Sequence, residues 1–374
     1  MQAAGKLTRR AMARSMAIGL SATATALPRI AAAAANTGNP GKTWERYANA
    51  ETAGFRPAVL QAMESALYAK STTSLMVVKA GKIAYSYGDI SHVSYLASAR
   101  KSVLSMLYGK YVANGTIDLK RTIGGLGIDE GGQGLLPIEK TATVRDLLMS
   151  SSGVYWPAGS PGSDEATPPR GSKKPGSYFH YNNWDFNVAG AVFEKLTGKS
   201  VFQALQQDLA VPLQFQDFDL ARQRMLGYRS EPSRYKAYHM FLSGRDMARL
   251  GVVMLQGGSW NGRQVIPAAW VKESTTVHVR AADMAGRAGS GYGYLWWKPS
   301  EGRKGSEWAG SFLANGAFGQ HILGLPAIDT VIVHRRAVTD EFAIARNLGT
   351  TDARPAGGEV DFLAIADMIV AGRH

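Results

Sequence analysis

The chain has 374 residues, 45% hydrophobic and only 19% charged, which is enough apolar material to bury a sizeable core and excludes overall disorder. Cysteine is absent, which excludes a disulfide scaffold, a thiol nucleophile and every cysteine-ligated zinc or iron–sulfur site. The 42 Lys+Arg against 29 Asp+Glu give a net charge of +13, so nucleic acid and anionic surfaces come into question as partners.

Part of that charge sits in a leader. Lys6, Arg9, Arg10 and Arg14 precede an apolar run from Ser15 to Leu27, and small residues Ala31 to Ala35 follow. A basic head, a short apolar middle and an Ala-rich exit describe a secretory signal over residues 1–35, and Arg9-Arg10 points to the twin-arginine route. The apolar run is shorter than the roughly 20 residues that span a bilayer as a helix, so stable membrane insertion is not expected. The expected location is periplasmic or extracellular. Removing residues 1–35 takes away five basic residues and no acidic one, leaving 37 against 29 and a net +8. No zinc-finger spacing or Arg/Lys helix is present, so nucleic acid is not expected as a partner.

In chain order, Thr43 to Ala50 and Pro57 to Lys70 read as helical. Two β-rich runs, Ser74 to Ala80 and Ile83 to Gly88, flank Gly81-Lys82 and read as a hairpin. From Ser98 the pattern turns helical, with Val103, Leu104, Met106, Leu107, Tyr111 and Val112 near a 3.6 period. Further helix signals cover 144–150, 184–196, 201–209 and 243–255. Residues 158–177, dense in Gly, Pro, Ser and Lys, form a loop. Strand signals return at 293–297, 316–323 and 330–334, and a last amphipathic helix covers about 360–370. Strands, a helical block and strands again predict a sheet lobe from both chain ends, 40–97 and 256–374. A helical lobe, 98–255, is inserted between them. A cleft between the two is the natural place for a site.

Ser98-Ala99-Arg100-Lys101 is the sharpest chemical signal. Serine and lysine three apart at a helix start lie on one face, so the amine reaches the hydroxyl. Serine is a poor nucleophile unless a base or an electrostatic partner activates it. An ordinary N-cap serine followed by a surface lysine has the same spelling. Tyr181-Asn182-Asn183 follows the loop. An ammonium beside a phenol favours phenolate, so Tyr181 can accept the serine proton and return it to a leaving group. Asn183 can hold the lysine and donate to a substrate carbonyl. A buried tyrosine with a satisfied hydroxyl is the plainer reading. A third element, Ala314-Asn315-Gly316-Ala317, is read as opening a late strand. Gly316 lets substrate lie close to the backbone, and the Ala317 and Ser98 N–H groups can form an oxyanion hole. His180 is read as an exposed loop neighbour of Tyr181. Trp156, Trp184, Trp296 and Trp297 are candidates for an acyl pocket, with core packing the simpler role for each.

Together these motifs resemble the serine β-lactamase-related, penicillin-recognising hydrolases, in particular class C β-lactamases, family esterases and nylon-oligomer (6-aminohexanoate-dimer) hydrolases. Ser98 and Lys101 match the family's Ser-x-x-Lys, and Tyr181 and Asn183 match its Tyr-x-Asn. Thr143 to Gly153, Ser243 to Gly251 and Gly291 to Trp297 also look like the family, so the resemblance runs from about residue 45 to 370. It implies an α/β (α+β), β-lactamase/transpeptidase-like fold, an antiparallel sheet flanked by terminal helices with an all-helical insertion. The departure is at Ala314-Asn315-Gly316, where penicillin-directed members carry Lys-Thr-Gly. Without that cation a substrate carboxylate loses its partner. Lys173 or Lys174 can supply charge from the loop instead.

The expectation is a serine hydrolase acting without a cofactor or metal on a small-molecule ester or linear amide. Ser98 is the nucleophile, Lys101 and Tyr181 share its proton, and Ala317, Asn183, Gly316 and Asn315 surround the substrate. The alternatives are a β-lactamase or D,D-peptidase, and a binding protein with a decayed site. Gly-x-Ser-x-Gly is absent, which argues against an α/β-hydrolase, and so is His-Glu-x-x-His.

Overall fold

The computed structural model describes residues 38–161, 167–284, 289–336, 338–351 and 361–374. The expected leader at 1–35 lies outside them. Seven strands form one antiparallel sheet: β1 (Thr72–Lys79), β2 (Lys82–Gly88), β3 (Gly291–Tyr292), β4 (Trp297–Lys298), β5 (Phe312–Gly316), β6 (Gln320–Leu325) and β7 (Thr330–Arg336). Their order is β2-β1-β7-β6-β5-β4-β3, so strands from the two ends of the chain meet at the β1–β7 pair, one strand in from the β2 edge. The predicted β1–β2 hairpin forms, but its two-residue turn is Ala80-Gly81, one residue before the expected Gly81-Lys82, and Lys82 already pairs with Lys79. Ala80 and Gly81 are both left-handed (φ 47° and 76°), and a Cβ on Gly81 would lie 1.5 Å from the Gly38 carbonyl oxygen.

Strand alternation sorts the helices onto two faces. We label the helices α1 (Pro57–Ala69), α2 (Ala99–Ala113), α3 (Val144–Leu148), α4 (Asn183–Thr197), α5 (Gly244–Leu255), α6 (Ala268–Ser274), α7 (Asp340–Asn347) and α8 (Phe362–Ala371). On β7, Val331 meets Gly251 and Arg335 reaches Met247, both of α5, while the intervening His334 turns the other way, toward Phe362 of α8. On β6, His321 likewise stacks on Phe362 at 4.4 Å, whereas Ile322 meets Gly251. α1 packs with α8. This is the antiparallel sheet with flanking terminal helices that the sequence predicts.

Some elements differ from their expected form. Thr43 to Ala50 is not helical: its backbone pairs with the edge of β2, Tyr47 N–H donating to the Ile83 carbonyl and Ile83 N–H to the Glu45 carbonyl. Those sheet bonds outweigh a weak helical pattern. The expected strand at 293–297 is a tight reversal between β3 and β4, with Gly293 N–H bonded to the Trp296 carbonyl and Leu295 left-handed. The expected strand at 316–323 is the β5–β6 hairpin, reversed at 317–319 by Phe318 (φ 64°) and Gly319 (φ 83°). Helix α5, assigned from sequence to the helical insertion, packs on β7, β6 and β1. The two chain crossings instead pair with each other, Ser94 opposite Leu242 and Tyr95 opposite Phe241. The insertion is mainly helical and also carries a short ladder, Arg224–Leu226 with Ala237–His239.

His334 shows how tightly the sheet is sealed. It is fully buried, with its ring nitrogens against Thr72 Oγ1 (3.0 Å) and the Gly319 carbonyl (2.7 Å). Burial pushes its pKa from the ordinary 6.5 down to about 4, with Arg335, Arg336 and Lys70 adding and the Gly319 bond opposing. The folded imidazole stays neutral while the unfolded one protonates, so stability present above pH 6.5 is lost as pH falls toward 4. The loss is about 3 kcal/mol. His334→Gln is therefore expected to flatten the fall in urea midpoint between pH 6.5 and 4. Parallel pH profiles for the two proteins would contradict this.

Candidate active site

Ser98 stands at the N-cap of α2 in helical conformation (φ −73°, ψ −12°), directly after the left-handed Ala97 (φ 48°). A non-glycine residue held there stores backbone strain, a recurring feature of functional turns. One helical turn on, Lys101 is 2% exposed, and its Nζ donates to Ser98 Oγ (3.0 Å), Tyr181 Oη (2.6 Å) and Asn183 Oδ1 (2.6 Å). Three acceptors around one amine match the three donors of an ammonium. The Nζ also lies 4.2 Å from the Tyr181 ring centre and 4.1 Å from that of Phe186. Its charge is felt nearby: burial holds the His239 imidazole well below its ordinary range, and Arg100 and Lys101 push it further down.

Tyr181 is buried between Phe186 (4.9 Å) and Trp297 (5.6 Å). Its segment is clamped from both sides by Ser150, itself left-handed at φ 53°. Ser150 Oγ donates to the His180 carbonyl (2.7 Å) and accepts from the Asn182 N–H (3.0 Å), while His180 N–H donates to the Ser150 carbonyl. Asn182 caps α4 through the Trp184 N–H, and its Nδ2 donates to Asp185 Oδ1, which also accepts from Ser152 Oγ at 2.5 Å. Burial raises the Asp185 carboxyl well above its ordinary range, the Ser152 and Asn182 bonds opposing. Ser150, Ser152 and Asp185 are positioning residues that the site reading of the sequence missed. Ser150 and Ser152 are signalled only by the Ser150-Ser151-Ser152-Gly153 run, and Asp185 by no motif.

The third motif closes β5 instead of opening a strand. A Cβ on Gly316 would fall 2.4 Å from the Leu96 carbonyl oxygen and 3.0 Å from the Ala99 nitrogen. The end of β5 thus rests directly on the backbone that carries Ser98. Ala317 and Asn315 are exposed beside it, and Ala314 is fully buried. Among the described residues, neither the Ser98 nor the Ala317 N–H donates a backbone bond outside the sheet ladder.

The remaining candidates divide. Asn183 holds Lys101 as expected, but its Nδ2 donates to the Pro161 carbonyl (2.6 Å), so one of its two donor hydrogens is committed to the loop rather than to substrate. His180 is buried against the Tyr155 ring and Thr167 Oγ1, which corrects its reading as an exposed neighbour; Ser150 draws it inward. Of the tryptophans, Trp297 packs against the Tyr181 ring, with centroids 5.6 Å apart. Trp184 is core, bonded to Glu130; Trp296 faces Phe312; and Trp156 lines a separate cavity of about 480 Å³ with Glu130, Pro232 and Ser233. Lys173 rests over the Tyr178 ring at 4.8 Å. Among the described residues no group of three His, Asp or Glu side chains is placed to hold a metal ion.

Comparison with known proteins places this arrangement. The beta-lactamase family model matches residues 60–335. No curated protein matches the chain. Among solved structures, a chain from Bacillus anthracis described as a 6-aminohexanoate-dimer hydrolase is 19% identical with a TM-score of 0.60, covering 82% of this chain and 80% of that one. A penicillin-binding protein homologue from Caulobacter crescentus is 15% identical with a TM-score of 0.55, over 75% of this chain and 91% of its own. EstCE1, a hydrolase with promiscuous acyltransferase activity, is 14% identical with a TM-score of 0.52, over 76% and 93%. At these identities the solved structures speak for the shared fold alone. The family model spans well over half of the sequence, and the chain belongs to the beta-lactamase family.

Proposed function

We propose that this protein is a serine hydrolase that cleaves an ester or a short linear amide through an acyl-enzyme on Ser98. One observation carries the reading: a single buried amine, Lys101 Nζ, touches both Ser98 Oγ and Tyr181 Oη, from segments some eighty residues apart. Ser98 Oγ attacks the substrate carbonyl while its proton passes through the Lys101–Tyr181 pair. The Ser98 and Ala317 N–H groups hold the oxyanion, Tyr181 protonates the departing alcohol or amine, and water releases the acyl group by the reverse relay. None of these steps calls on a cofactor. An intact Ser98–Lys101–Tyr181 set argues against a decayed binding protein.

Substrate preference rests on Ala314. Its buried methyl group stands where penicillin-directed relatives of the family carry a cation, so a substrate carboxylate gains no cationic partner at that position of β5. That favours neutral esters and linear amides over β-lactams and D-alanyl peptides. Rates on p-nitrophenyl butyrate and a 6-aminohexanoate dimer are expected to exceed that on nitrocefin. Nitrocefin as the fastest of the three would replace this reading with the β-lactamase one. We further propose that residues 1–35 direct export, so that the enzyme meets small molecules outside the cytoplasm.

A further inference from the structure

Two strained residues flank the proposed oxyanion hole: Ala97, before the Ser98 N–H, and Phe318, after the Ala317 N–H. A bulky aromatic residue at φ 64° is a backbone outlier that persists only where its surroundings enforce it. Both residues pack into the same small apolar cluster, distinct from the main core and formed by Tyr95, Ala97, Phe241, Val338 and Ala343 with Val93, Phe318 and Phe342. Helix α7 supplies its outer wall. Phe342 meets the Phe318 ring edge-on at 5.6 Å, and the Arg346 guanidinium lies 5.4 Å over the same ring. Asn347, also on α7, donates from Nδ2 to Tyr95 Oη (3.2 Å), three residues before Ser98. The start of the helix is moored as well: Thr339 caps it through the Phe342 N–H, and Asp340 pairs with Arg222, which also reaches the Val93 carbonyl.

We propose that α7 is the clamp that sets the spacing of the two oxyanion donors, with Phe342 as its principal positioning residue. One helix grips the β5–β6 turn through Phe318 and the approach to Ser98 through Tyr95. A shift in α7 therefore moves one N–H relative to the other. This inference rests on the reading of Ser98 and Ala317 given above. Donors that must lie within a few tenths of an ångström of a developing charge depend on such support, and loss of one whole donor costs roughly a hundred- to a thousandfold in kcat.

The test pairs turnover with a probe that needs the hole but not a leaving group. With phenylboronic acid, Ser98 Oγ adds to boron, its proton passes to the Lys101–Tyr181 pair, and the resulting tetrahedral anion places an oxygen in the hole. Phe342→Ala is expected to lower kcat on p-nitrophenyl butyrate about 10- to 100-fold with KM within about threefold, and to weaken phenylboronic acid by a similar factor. Phe342→Leu, which refills the cluster, should recover most of both. Ile365→Ala, a core truncation on α8, measures general destabilisation and should keep kcat within about twofold. Phe342→Ala with kcat and boronate affinity no lower than those of Ile365→Ala would overturn the clamp. Ser98→Ala that still turns over and still binds the boronate would instead overturn the assignment of Ser98 itself, and the two failures are distinct.

Discussion

Replacing Ser98 with alanine, or Lys101 with methionine, is expected to lower kcat on p-nitrophenyl butyrate by at least about a thousandfold, with far-UV circular dichroism unchanged. Lys101 ties the candidate residues together: its amine donates to Ser98 Oγ, Tyr181 Oη and Asn183 Oδ1 at once. Without it Ser98 Oγ loses its path to Tyr181, and the oxyanion donors alone cannot remove the serine proton. Because the two residues act as one unit, the double variant should be scarcely slower than either single one. A Lys101→Met protein within tenfold of the parent would show that the serine is activated by some other group.

The second large effect is expected at Gly316. Its backbone is not left-handed, so alanine there is conformationally permitted and the penalty is pure collision. The new Cβ would sit 2.4 Å from the Leu96 carbonyl oxygen, a contact with main chain that no side-chain rotation relieves. Either the end of β5 or the start of α2 must move, and each adjoins one of the two proposed oxyanion donors. Gly316→Ala is expected to lose at least about a hundredfold in kcat, the scale of one lost donor, and Gly316→Val more. Gly131→Ala, where a Cβ meets nothing within 4 Å, is the matched control and should keep parental rates. Equal activity in both alanine variants would separate β5 from the nucleophile.

What the sequence reveals of this molecule follows the range over which each feature is decided. Ser98 and Lys101 are legible because a three-residue spacing on a helix is a local rule, and the β1–β2 hairpin because a glycine between two β-rich runs marks a turn, although the left-handed Ala80 beside it is not. Helix α4 is legible as the helix signal over 184–196, whereas its Asn182 cap emerges only in the structure. Thr43 to Ala50 is not, because its conformation is settled by the edge of β2, more than thirty residues away. The β5–β6 turn is hidden by Phe318, whose conformation propensity disfavours and α7 enforces. Ser150 and Asp185 escape for the same reason: serine and aspartate are ordinary spellings, and only tertiary contact makes them the clamp on Tyr181. Helix α5 is read correctly as a helix, but its partner is the sheet, which no pattern internal to residues 243–255 discloses.

On the proposed mechanism the amine of Lys101 makes one particular serine reactive. Exposure of the folded protein to a fluorophosphonate, followed by peptide mass spectrometry, tests it most directly. A single adduct is expected, on Ser98, absent after denaturation and strongly reduced in Lys101→Met. An unlabelled Ser98 in folded protein, or an adduct on another serine, would contradict it.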